Sequence, residues 1–260
     1  MDALIDWLGH ATVRIELGGI RILTDPAIRP RVGPLVRMAP RIEPHQVEGV
    51  DLVLISHLHH DHLDLGSLRR LGAPRLIVPS GSASIFGAAG LTNVDEVSPG
   101  DRRTDGSVTI EVVHAEHSGF RPPFGPTGPA LGFVVSDGVR RIYFAGDTAI
   151  HAGMAALGDL DVALVPVWGW GPTLRGGHMD PLVAAEALTL LRPRLAIPIH
   201  WGTYWPVALG RVRRARLHDP GDEFRARAAA MAPSVRAVVL EPGERVAVEV
   251  GSSLAGGQKS

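Results

Sequence analysis

Cysteine is absent from this 260-residue chain. Disulfides, thiolate metal ligands and cysteine nucleophiles are thereby excluded, so any bound metal must take His, Asp, Glu and water. Lysine is nearly absent too: Lys259 stands alone, and arginine carries the rest of the positive side-chain charge. Neither sign of charge dominates, with 26 basic against 27 acidic residues and a formal net charge of -1. That balance gives no electrostatic footprint for nucleic acid or an anionic membrane surface. No run of about 18 apolar residues occurs, so neither a transmembrane helix nor stable membrane insertion is expected. Met1-Asp2-Ala3-Leu4-Ile5-Asp6 lacks the basic and apolar regions of a signal peptide, which makes a cytoplasmic location the expectation. Aromatic residues make up only 5% of the chain against 45% hydrophobic residues, so the core must be built mainly from aliphatic side chains. The length suits one domain over residues 1–250, followed by a small, polar tail at 251–260 that is expected to be disordered.

What is present in quantity is histidine at one place. Ser56-His57-Leu58-His59-His60-Asp61-His62 sets His57, His59, Asp61 and His62 in an HxHxDH pattern. The apolar run Val50-Asp51-Leu52-Val53-Leu54-Ile55 comes directly before it and reads as a buried strand delivering the cluster at its C-terminal end. So many ionisable groups are costly to bury together unless they pair or bind a cation. Imidazole nitrogen and carboxylate oxygen suit zinc, iron or manganese. Alternation along an extended segment points His57, His59 and Asp61 one way and His62 another. His60 fills the variable position and is expected to face outward or to stand behind the ligands.

Along the chain, strands are expected at Leu4 to Leu8, Thr12 to Leu17 and Ile20 to Thr24, the last two joined by a Gly18-Gly19 turn. Residues 26–49 carry Pro26, Pro30, Pro34, Pro40 and Pro44 among four arginines, and read as a long irregular excursion. Asp64 is placed to cap a helix to Leu71, Ser80 a weak one to Ala89, and Asp180-Pro181 opens one to Leu191. Strands are expected at Arg75 to Val78, Val108 to Val113, Leu131 to Val135, Arg140 to Ala145, Asp161 to Val165 and Leu195 to Ile199. A helix near Asp222 to Met231 and strands at Val235 to Leu240 and Arg245 to Val250 close the pattern. Four more candidates follow apolar runs or precede a helix: His117, Asp147 in Gly146-Asp147-Thr148, His178 in Gly177-His178-Met179-Asp180-Pro181, and His200 in His200-Trp201-Gly202-Thr203. His114 competes with His117, and His10 in Gly9-His10-Ala11-Thr12 is either functional or a satisfied buried histidine.

In this order, HxHxDH, a lone histidine, Gly-Asp-Thr and a strand-end histidine, the chain resembles the metallo-β-lactamase-fold hydrolases. Trp7-Leu8-Gly9-His10-Ala11-Thr12, Leu23-Thr24-Asp25-Pro26, His178-Met179-Asp180-Pro181 and Ile199-His200-Trp201-Gly202-Thr203 are similar to one branch. That branch holds the N-acylphosphatidylethanolamine phospholipase D enzymes and the ascorbate-6-phosphate lactonases. The resemblance implies an α+β fold, a four-layer αββα sandwich with the site along one edge of its two sheets. It favours His117 over His114 and implies two divalent ions, zinc before manganese or iron. His57, His59 and His117 would hold the first, Asp61, His62 and His200 the second, and Asp147 would bridge them.

The expected activity is hydrolysis of a small-molecule phosphodiester or lactone by a hydroxide bridging the two metals. Asp61 would orient the nucleophile or take its proton, and His178 would assist the leaving group or bind a phosphate or oxyanion. Trp168, Trp170, Phe120, Phe124 and the Arg29 to Arg41 stretch are candidates for an apolar mouth with cationic edges, suited to a phosphate-bearing substrate. A non-catalytic metal-binding or sensing module and a glyoxalase-type thioesterase stand as alternatives. Oligomerisation is compatible with the sequence and not specified by it.

Overall fold

The computed structural model describes residues 3–72, 74–169, 176–209, 217 and 219–249. The expected tail and Trp170 lie outside the described residues.

In chain order the strands begin with β1 (Ala3–Gly9), β2 (Thr12–Leu17), β3 (Ile20–Thr24), β4 (Arg31–Val32), β5 (Leu35–Arg37), β6 (Leu52–Leu54), β7 (Arg75–Pro79) and β8 (Val94–Val97). They continue with β9 (Arg102–Asp105), β10 (Val108–His114), β11 (Leu131–Ser136), β12 (Arg141–Phe144), β13 (Val162–Pro166), β14 (Leu195–Ile199), β15 (Tyr204–Pro206), β16 (Arg236–Ala237) and β17 (Arg245–Val248). The helices are α1 (Leu65–Leu68), α2 (Ala83–Ala88), α3 (Pro181–Leu191) and α4 (Asp219–Met231).

Two seven-stranded sheets result, ordered β17-β1-β2-β3-β6-β7-β8 and β16-β14-β13-β12-β11-β10-β9. Each is antiparallel on one side and parallel on the other, with β3, β6, β7 and β8 parallel in the first and β12, β13, β14 and β16 parallel in the second. Residue alternation explains the layering. Leu52 and Leu54 of β6 join the core that also holds Ile5, Trp7, Ile15, Ile110 and Phe133. Val53 and Ile55 point the other way, into a second cluster with Leu68 of α1 and Phe86 of α2. The outer face of the second sheet is covered by Ala184 and Leu188 of α3 and Phe224 of α4. The order helix, sheet, sheet, helix is the expected α+β sandwich.

Local expectations fared unevenly. Asp180 caps α3 as its spacing predicts, accepting from Val183 N, and Asp64 accepts from Ser67 N at the start of a shorter α1. Ser80 does not cap α2: Ser82 precedes that helix without a side-chain cap, and Ser80 Oγ accepts from Ser98 Oγ at 2.9 Å instead. The 26–49 excursion is less irregular than its prolines imply. Its β4 and β5 pair with each other, and β5 also pairs with β15, making a three-stranded sheet. β8 and β9, read Val-Asp-Glu-Val and Arg-Arg-Thr-Asp, escaped the pattern because edge strands with mixed faces carry no apolar alternation.

Candidate metal centre

The parallel strands deliver the site. His57 and His59 lie just beyond the C-terminal end of β6, Asp147 beyond β12 and His200 beyond β14, while His117 follows antiparallel β10. Among the described residues, three of the four non-glycine residues with positive φ stand here: His10 (57°), Asp25 (34°) and His200 (67°). Such strain concentrates where geometry is over-determined by function.

All eight side chains singled out for the site converge. His57 Nε2 lies 2.9 Å from His59 Nδ1, and His117 Nε2 lies 3.1 Å from the same atom. Beside them, His62 Nε2 is 3.1 Å from His200 Nε2, and Asp61 Oδ2 is 3.6 Å and 3.8 Å from those two nitrogens. Asp147 stands between the groups, with Oδ2 3.3 Å from His62 Nε2 and 4.0 Å from His117 Nε2, and Oδ1 3.2 Å from His200 Nε2. His178 Nδ1 is 3.5 Å from Asp147 Oδ2.

One expectation within the loop fails in detail. Asp61 does not share a direction with His57 and His59, because residues 59–63 make a turn rather than an extended segment: His62 N and Leu63 N both donate to His59 O. That turn carries Asp61 over to the His62 side. His114 stays outside, exposed and 3.2 Å from Glu116, and exposed His60 bonds Pro122 O and Arg121.

The hydrogen-bond network assigns the tautomers. His117 Nδ1–H donates to Gly177 O at 2.7 Å and His200 Nδ1–H to Trp168 O at 2.8 Å. His62 Nδ1–H donates to Asp25 Oδ2 at 2.7 Å. Ser56 Oγ–H donates to Asp25 Oδ2 at 2.5 Å, which leaves Ser56 Oγ to accept from His57 Nδ1–H at 3.0 Å. In a neutral ring each of these Nε2 atoms carries a lone pair toward the others and toward Asp147, and on His62 a proton stands there when no cation does. Among the described residues, buried Asp147 Oδ1 has no hydrogen-bond partner, and neither does His178 Nδ1. Lone pairs and a carboxylate oxygen converging at such distances repel unless a cation lies among them. The donor set of imidazole and carboxylate fits divalent zinc, manganese or iron. The geometry accommodates metal in two adjoining groups, His57-His59-His117 and Asp61-His62-His200, the second joined by His10.

The electrostatics mark where positive charge belongs. Burial pushes His57 well below the usual imidazole range and His59 and His178 down to about 4, so these rings stay neutral. Burial alone would also lower His62, but the carboxylates of Asp147, Asp61 and Asp25 outweigh it and hold it well above that range. Burial opposes the charge on Asp61 and Asp147, and the surrounding imidazoles outweigh it, holding both carboxyls well below their usual range. The site is built to hold positive charge at its centre.

Asp25 was missed as a functional residue, though its Leu-Thr-Asp-Pro segment stood out. It is fully buried and accepts from Ser56 N, Ser56 Oγ and His62 Nδ1. Two expected mouth arginines are occupied elsewhere. Arg29 makes a two-pronged pair with Asp64, and Arg37 donates to Leu8 O and Pro40 O. Trp168 is half-buried and stacks on Trp205, whereas Phe124 is 96% exposed.

The fold and the paired donor groups define the class, a metal-dependent hydrolase of the metallo-β-lactamase superfamily. Residues 20–201 match the family described as Beta-lactamase superfamily domain, and the chain belongs to that family. It is similar to a UPF0173 metal-dependent hydrolase of Aeropyrum pernix, 34% identical over 259 residues, covering 93% of this chain and 96% of that protein. It is also similar to N-acyl-phosphatidylethanolamine-hydrolyzing phospholipase D 1 of Caenorhabditis elegans, 32% identical over 226 residues, covering 76% of this chain and 63% of that longer protein. In fold it resembles Igni18, a metallo hydrolase from Ignicoccus hospitalis, with a TM-score of 0.75 at 24% identity over 96% of this chain and 99% of that one. No helix among the described residues is long and apolar enough to cross a membrane.

Proposed function

We propose that this hydrolase cleaves a phosphodiester bond in a small-molecule substrate with two divalent ions. His57, His59 and His117 hold one, Asp61, His62 and His200 the other, and Asp147 lies between them. The observation that carries this reading is the convergence of His57, His59 and His117 on one side of Asp147 and of Asp61, His62 and His200 on the other. Two such ions supply Lewis acidity and bring the pKa of a water molecule toward neutrality. Zinc is the first choice of metal, and a cytoplasmic setting completes the reading.

The chain's own residues provide the rest. Asp61, with a side chain 16% exposed, orients the attacking water and accepts its proton. His178, kept neutral by burial, offers an N–H to a phosphoryl oxygen or to the leaving group. The phospholipase D name of the nematode relative favours a phosphodiester over a lactone.

The test is turnover of bis-p-nitrophenyl phosphate beside a simple lactone and a thioester, with and without chelator. Phosphodiester hydrolysis abolished by chelator, restored by zinc or manganese, and lost with metal in His59→Ala is expected. Turnover of the lactone or thioester alone, or none with metal bound, rejects the substrate class.

A further inference from the structure

We infer that His10 is a positioning residue for the Asp61-His62-His200 half of the centre, fixing Asp61 through its side chain and His200 through its main chain. This rests on the two-ion reading. His10 Nε2 lies 3.1 Å from Asp61 Oδ2, at hydrogen-bond distance, and the residue is 1% exposed. Its carbonyl accepts from His200 N at 2.9 Å, and its ring lies 4.0 Å, centroid to centroid, from that of His200. One residue thus sets a carboxylate and an imidazole that come from segments 139 positions apart in the sequence, Asp61 and His200.

The backbone around His10 is built for this delivery. His10 has φ 57° and Gly9 φ 110° at the tight β1–β2 turn, where positive φ is usual for a hairpin but is uncommon for a histidine. The turn is held from several sides. His10 N donates to Thr203 Oγ1 at 2.6 Å, Trp7 Nε1 donates to His10 O at 2.9 Å, and Arg37 Nη2 donates to Leu8 O at 2.6 Å. A Cβ on Gly9 would lie 2.8 Å from both Thr203 Oγ1 and Thr203 Cγ2, so the approach admits only glycine. Strain secured this thoroughly marks a constrained position, and what it aims is the imidazole edge at Asp61. Partners that orient a metal-ligating carboxylate tune the affinity of the ion it holds.

A ligand role for His10 is the competing possibility, since its nitrogen lies within 4.8 Å of donor atoms of Asp61, His62 and His200. Side-chain replacement separates the two. His10→Ala removes donor and ring, His10→Phe keeps a ring against His200 without a donor, and His10→Gln keeps an N–H donor without an imidazole. Zinc per chain is counted by mass spectrometry, stepwise zinc affinity is read by competition with a fluorescent chelator, and melting of the metal-free protein reports folding. One of the two zinc ions is expected to lose about 10- to 100-fold in affinity in the Ala and Phe variants, with the other unchanged, and Gln is expected to restore most of the loss. Two zinc ions bound with wild-type affinity by the Phe or Ala variant overturns the inference. So does a Gln variant as weak as Ala, which makes the imidazole itself the requirement. A wild-type protein that binds a single zinc overturns the two-ion reading and this inference together.

Discussion

Asp25 Oδ2 accepts from His62 Nδ1 at 2.7 Å, with both side chains fully buried, and the same carboxylate accepts from Ser56 N and Ser56 Oγ. One carboxylate thus orients His62 directly and His57 through Ser56. Asp25→Asn removes its charge and is expected to weaken zinc binding by about 10- to 100-fold, measured by chelator competition. Unchanged affinity would show that the two rings are held by packing alone.

Gly146 turns the chain out of β12 so that Asp147 enters the site. Its φ is 61°, and an added Cβ would lie 2.6 Å from Ser56 Cβ and 2.9 Å from Leu131 O. Gly146→Ala is expected to cost about 1–3 kcal/mol and to lower activity by displacing Asp147. Thermal unfolding and initial rates check both, and a variant with wild-type melting would mean the turn relaxes freely.

Arg37 is a brace here, although its place in an arginine-rich stretch suggests substrate contact. Arg37→Ala leaves the carbonyls of Leu8 and Pro40 without their donor. The expected loss is about 1–3 kcal/mol of stability, with no selective rise in KM for anionic substrates. An unchanged melt with a raised KM would return Arg37 to the substrate mouth.

Asp95 gives the pH test. Burial opposes its charge, but Arg75 at 2.6 Å and Arg103 at 3.0 Å outweigh burial and hold its carboxyl below the usual range. A folded-state pKa below the unfolded one stabilises the protein above the unfolded value, and that contribution is lost as pH falls through the folded value. Asp95→Asn should therefore destabilise by about 1 kcal/mol at neutral pH and converge with the wild type as the pH falls through the lowered folded-state value. Chemical denaturation across that range decides, and a penalty independent of pH would contradict the assignment.

Much of the site was legible because its chemistry is written locally. The HxHxDH run names four candidate ligands in six residues, and Asp147 and His200 each follow an apolar strand whose period is plain. Asp25 was harder, since an aspartate before a proline is also an ordinary strand breaker, and only the folded chain brings it to His62. The pairing of Leu35–Arg37 with Tyr204–Pro206 is invisible for the same reason: its two halves are remote in sequence and short. The side of the site that Asp61 takes depends on the turn at residues 59–63, which strand alternation cannot foresee.

The most direct test of the account is anomalous diffraction from crystals of the zinc-loaded protein. Two peaks about 3.5–4 Å apart are predicted, one among His57, His59 and His117 and the other among Asp61, His62 and His200, with Asp147 between. A single peak, or none, in protein that hydrolyses its substrate at full rate would contradict it.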